Sequence, residues 1–112
     1  MKEIVAVIRS ERLREVCDAV EKTGHRGLVV TEIQGRGKEK FPDESWKGER
    51  YEAFFYPKVM VQILTKDKDV PAVLEAVRKA ARTGLVGDGM VYVRDIENVY
   101  GIRTDAEGEE ML

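Results

Sequence analysis

Three glycines, Gly84, Gly87 and Gly89, surround Asp88 in the run Gly84-Leu85-Val86-Gly87-Asp88-Gly89. Glycine tolerates positive backbone dihedrals, so successive amide hydrogens can converge into a nest for phosphate oxygens. Gly-Asp-Gly is also an ordinary turn ahead of a strand, and the residues alone leave both readings open. The run leads into a strand pattern rather than a helix and lacks a Lys-Ser ending, so neither a P-loop nor a Rossmann fingerprint fits. An anion held here needs cations from elsewhere in the chain. Lys58, at a strand entrance after Pro57, and Arg103, in Ile102-Arg103-Thr104, are suited to that task.

Other reactive side chains are few. The lone His25 falls in a helix-to-strand turn and reads as a surface residue rather than a general base. Cys17 falls on the apolar stripe of a helix, where it reads as a small buried hydrophobe. One histidine and one cysteine supply no metal cluster, so zinc and thiol chemistry lack support. An enzyme would need an acid/base pair or nucleophile that the chain hardly offers, although a slow ATPase remains conceivable.

The 112 residues match one domain with one core, expected to span 1–112. Net charge is only -2, which argues against nucleic acid as a partner. No apolar run approaches the roughly twenty residues needed to span a bilayer, and Met1-Lys2-Glu3 leads straight into a strand pattern, so a cytoplasmic location is expected.

The β-branched run Ile4–Ile8 predicts a first strand, covered on both faces. Ser10 offers an N-cap, and Leu13, Val16, Cys17 and Val20 recur at helical spacing, predicting a helix over about 11–23. Gly27–Gln34 reads as the second strand. Val59, Val61 and Ile63 alternate with Met60, Gln62 and Leu64 in the third. Asp67 or Asp69 caps a second helix, with Pro71 in its first turn and Val70, Val73, Leu74, Val77, Ala80 and Ala81 along one side. Met90–Val93 is the fourth strand, after a turn spanning 82–90, and the acidic tail 105–112 is expected to be loose. Right-handed crossovers fold this βαββαβ order into a ferredoxin-like α+β sandwich, a four-stranded antiparallel sheet with both helices on one face. The other face is too apolar for water and calls for a partner subunit.

Between the second and third strands lies a connection several times longer than the roughly two to five residues of a hairpin loop. Charges there mix with Phe41, Trp46, Tyr51, Phe54 and Phe55. A disordered segment should lack aromatics, so the stretch reads as a mobile arm that folds onto a partner, with Phe41, Trp46 and Tyr51 as anchors.

Thr83-Gly-Leu-Val-Gly-Asp-Gly-Met-Val-Tyr-Val93 resembles the phosphate-loop signature of the PII nitrogen-signalling proteins. Phe55-Tyr-Pro-Lys58, Val30-Thr-Glu32, Gly35-Arg-Gly37, Tyr51 and Ile102-Arg-Thr104 fall in register with that family. The resemblance covers nearly the whole chain. It implies a homotrimer that binds ATP, ADP or AMP in clefts between subunits, and an arm called the T-loop, about 37–55, that docks on an ammonium transporter or a nitrogen enzyme. It assigns the phosphate turn to Gly87, Asp88 and Gly89, and phosphate cations to Arg103 and Lys38. Gly35 and Gly37 would shape the arm's base, Val7, Val29 and Leu64 would face adenine, and Lys58 would reach toward the arm or a 2-oxoglutarate carboxylate. Tyr51 occupies the position uridylylated in many members, whereas Glu49 excludes the serine phosphorylation used by some relatives.

The departures are chemical. Typical members carry a lysine where this chain has Met90 and an arginine where it has Gly101. Each lost charge-assisted contact costs on the order of 1.5 to 3 kcal/mol. Glu39 replaces a glutamine that helps hold magnesium and 2-oxoglutarate; a carboxylate still suits magnesium but repels a dicarboxylate. Val29 replaces a threonine that often contacts adenine. These changes leave open a second reading, the same trimeric scaffold sensing a different small molecule. A metal-tolerance trimer of the same fold would need ligands that the chain does not supply.

Overall fold

The computed structural model describes residues 1–36, 44–46, 49–51 and 55–112, with 44–46 and 49–51 as backbone alone. Strand β1, Lys2–Arg9, leads through a 3-10 turn, Ser10–Arg12, into helix α1, Leu13–Lys22. Strand β2 is Val29–Gly35, and the short strands β3, Glu44–Trp46, and β4, Glu49–Tyr51, pair with each other within the arm. Strand β5, Tyr56–Thr65, helix α2, Val70–Ala81, and strand β6, Gly89–Asp95, complete the sandwich. The main sheet runs β2-β5-β1-β6, antiparallel throughout, with the two helices packed on one face. This is the ferredoxin-like arrangement that the pattern predicts.

Side-chain parity sets what each sheet face does. Ile4, Ala6 and Ile8 of β1 and Val59, Val61 and Ile63 of β5 point toward the helices, where they close a core with Val16, Val20, Val73, Val77 and Ala81. The alternate residues occupy the opposite face. By register, Val7 lies opposite Met60 and Met90, and Val5 lies opposite Gln62 and Tyr92. Val29, Met90 and Tyr92 leave large apolar surfaces exposed on that side.

Several local expectations are corrected. Ser10 opens the 3-10 turn instead of capping α1; Arg12 stands at the N-cap and makes no side-chain cap bond. Asp69 occupies the N-cap of α2 but also makes no side-chain cap bond, while Asp67 is engaged by the Met1 amino group at 2.9 Å. The α1 end does follow its chemistry. Thr23 returns its hydroxyl to the Val20 carbonyl at 2.6 Å, and Gly24 takes φ 95° while its amide reaches the Glu21 carbonyl at 2.9 Å.

His25 is not a surface residue. Its ring nitrogens face the hydroxyls of Thr23 at 3.1 Å and Thr65 at 3.0 Å, clasping the end of α1 to the end of β5. The acidic tail is likewise pinned rather than loose. Tyr100 bridges to Glu107, the Gly101 amide donates to the Ala106 carbonyl at 2.8 Å, and the Gly108 amide donates to Val99 at 2.8 Å. Backbone pairing around a tight turn overrides the acidic composition. No helix among the described residues is long and apolar enough to cross a membrane.

Candidate functional site

At one end of the sheet, the β1–β5 register places Arg9 directly opposite Lys58. Two cations facing each other on neighbouring strands repel, so something must compensate for them. The compensation comes from the glycine turn. Arg9 Nε donates to Asp88 Oδ1 at 3.0 Å, its terminal nitrogen donates to the Val86 carbonyl at 2.6 Å, and Lys58 Nζ donates to the Gly87 carbonyl. Burial, and then the neighbouring Arg9 charge, lower the pKa of the Lys58 ammonium, against the pull of Glu11 and Asp88.

Asp88 is the hub of the turn. Its carboxylate accepts the Thr83 amide at 2.8 Å, the Gly84 amide at 2.9 Å, the Thr83 hydroxyl and Arg9. Burial alone would raise its pKa, but these bonds outweigh burial and hold the carboxyl well below the usual range. The Leu85 amide is taken by the Thr83 hydroxyl at 3.2 Å. The consecutive amides of Val86 and Gly87 meet no acceptor among the described residues. They are the donors available to an anion, on a loop whose φ is 101° at Gly87 and 100° at Gly89.

Gly89 is there for space as much as for dihedral freedom. A Cβ on it would overlap the Val7 carbonyl oxygen and lie 2.9 Å from the carbonyl carbon, so β6 enters the sheet against the backbone of β1. On the helix side of this junction, a cleft of about 400 Å³ opens between α2 and β6, bordered by Leu74, Arg78, Arg82 and Asp88.

The chain brings only part of the expected residues together. Val7, Lys58, Gly87, Asp88 and Gly89 lie at one end of the sheet, with Gly35 close to the Lys58 stem at the arm's base. Leu64 lies six residues along β5 from Lys58, about 20 Å at ~3.4 Å per residue. Val29 is on the far edge strand, about 14 Å from β6 at ~4.8 Å per strand spacing. Arg103 is exposed on the turn beyond β6. Gly37, Lys38, Glu39 and Phe41 lie outside the described residues, and the side chains of Trp46 and Tyr51 lie outside them too.

Arg9 is the residue that the sequence reading missed. The signal was a cation ending an apolar strand, which reads as simple solvent capping until the register sets it against Lys58. Gly101 gains a local reason: a Cβ there would meet the Thr104 carbonyl and hydroxyl oxygens at 3.0 Å, so a larger residue requires the 101–106 turn to give way.

The sequence profile described as Nitrogen regulatory protein P-II matches residues 1–106, nearly the whole chain. The chain belongs to the P-II family. It is 42% identical to Nitrogen regulatory protein P-II 2 of Methanothermobacter thermautotrophicus, over all of this chain and 97% of that protein. It is also 42% identical to Nitrogen regulatory protein P-II of Rhizobium meliloti, over the full length of both, and 38% identical to the protein so named in Pasteurella multocida. P-II membership makes this a signalling protein of nitrogen regulation.

Proposed function

We propose that this P-II protein is a cytoplasmic sensor that binds an adenine nucleotide with its phosphates at the glycine turn and signals through its arm to a partner protein. The observation that carries the reading is the pair of Val86 and Gly87 amides, without an acceptor among the described residues, in a turn braced by Arg9 and Lys58. Such a turn is preorganised for an oxyanion, and its donors cost no rearrangement when the ligand arrives. The distance from the turn to Val29 and Leu64 supports a cleft completed by a neighbouring copy, as a homotrimer would provide. The exposed Val29, Met90 and Tyr92 suit burial against that copy.

Docking belongs to the arm, with Phe41, Trp46 and Tyr51 as aromatic contacts for an ammonium transporter or a nitrogen enzyme and Tyr51 open to modification. Magnesium would be held through Glu39. The protein acts by binding, not by catalysis, and phosphate release compared between wild type and Arg103→Ala separates this reading from a slow ATPase.

Nucleotide preference follows from the cations. With methionine at 90 and glycine at 101, the outermost phosphate of ATP finds less positive charge than the family's usual residues supply. ADP or AMP is therefore expected to bind at least as tightly as ATP, and calorimetry showing much tighter ATP binding overturns this. The same titrations should show 2-oxoglutarate binding weakly or not at all beside Mg-ATP, since Glu39 repels a dicarboxylate; micromolar binding would count against it. Met90 and Gly101 also favour a second reading, in which the scaffold senses another small anion. Its mark would be no affinity for any of the three nucleotides.

A further inference from the structure

We propose that Arg9 is the positioning residue of the glycine turn, holding the Val86 and Gly87 amides at the spacing an oxyanion needs without touching the ligand itself. The inference rests on the anion-binding reading above. Arg9 ends β1, and its guanidinium spans the turn from Asp88 Oδ1 at 3.0 Å to the Val86 carbonyl at 2.6 Å. Its remaining nitrogen faces Glu11 at 3.9 Å. Two of the three guanidinium nitrogens are thus hydrogen-bonded within this chain, the third lies beyond hydrogen-bond reach of Glu11, and the side chain is only 18% exposed. A group held from two sides in this way is committed first to the turn.

The same corner of the chain holds the other end of the segment. Three residues on, Arg12 donates from Nε at 2.9 Å and from a terminal nitrogen at 2.6 Å to the Ala80 carbonyl in the last turn of α2. Residues 80 to 88 are therefore suspended between two arginines on the β1–α1 corner, and the turn's amides lie just inside the Arg9 end. Lysine cannot reproduce this, because one ammonium does not present the planar fork that meets a carboxylate and a carbonyl together.

Calorimetry with ADP and with inorganic pyrophosphate, repeated across a range of salt, tests the idea on the full chain. Arg9→Ala should weaken both probes about tenfold through lost preorganisation, while the salt dependence of binding stays that of wild type. Amide hydrogen exchange at Val86 and Gly87 should speed up, and Arg9→Lys should recover only part of the affinity. If Arg9→Ala fails to fold, Arg9→Lys carries the test, with weaker binding at an unchanged salt dependence. A flattened salt dependence would make Arg9 a direct ligand contact, and unchanged affinity and exchange would leave it no role; either result overturns the inference. Wild type failing to bind either probe sinks the anion-binding reading itself, whereas failure confined to the variants sinks only the role of Arg9.

Discussion

Gly89→Ala is expected to cost about 4 kcal/mol, the midpoint of the sum of overpacking and left-handed backbone strain of about 1 to 3 kcal/mol each. Few single substitutions reach that size. The added Cβ would fall on the Val7 carbonyl, which belongs to the central strand β1 and cannot swing aside as a side-chain tip can. Relief requires β6 to part from β1 at its first pair, Ile8 with Gly89. Gly84→Ala is the matched control, because Gly84 also has positive φ, 88°, but nothing lies within 4 Å of its Cβ position. It should lose only about 1 to 2 kcal/mol, the cost of a left-handed alanine. Urea unfolding of the two variants decides the matter. Equal losses would mean that the backbone contact at Gly89 carries no weight.

That contrast also marks what could be seen before the structure. The sandwich was legible because each strand and helix announces its own period: Ile4–Ile8 and the Val59–Leu64 alternation for strands, and Val73, Val77 and Ala81 for a helix. The glycine turn was legible as chemistry, since Gly-Asp-Gly limits the backbone, but its two readings were separable only by asking which amides lack acceptors. The tail misled because composition speaks to solvation, whereas the Gly101 and Gly108 amides find carbonyls across a tight turn. Arg9 went unnoticed, and His25 and Asp67 misled, for a shared reason. Their partners, Asp88, Thr65 and the chain terminus, lie tens of residues away, and no local pattern encodes pairings that only the folded sheet and its connections create. Family resemblance supplied positions for ligand residues, yet the repulsion between Arg9 and Lys58, and its relief by the turn, come from geometry.

The second large effect belongs to Asp88. Two carboxylate oxygens serve four donors, namely the Thr83 and Gly84 amides, the Thr83 hydroxyl and Arg9. Asn keeps one acceptor oxygen and turns an amino group toward the rest, leaving Arg9 next to Lys58 without its counter-ion. Asp88→Asn should therefore lose about 2 to 3 kcal/mol, the loss of a charge-assisted hydrogen-bond set in a partly buried site. Its pH dependence has a definite sign. The folded pKa of Asp88 lies below the ordinary 3.8, so the carboxylate's contribution is fully present above that value and is lost as pH falls through the folded pKa. The stability gap between wild type and Asp88→Asn should be constant near neutrality and narrow progressively in acid below about pH 4, as protonation makes the wild-type carboxyl resemble the amide. Urea midpoints for both proteins across that range test it. A gap that stays constant into strong acid would show that Asp88 acts through shape alone and that its charge does not brace the turn.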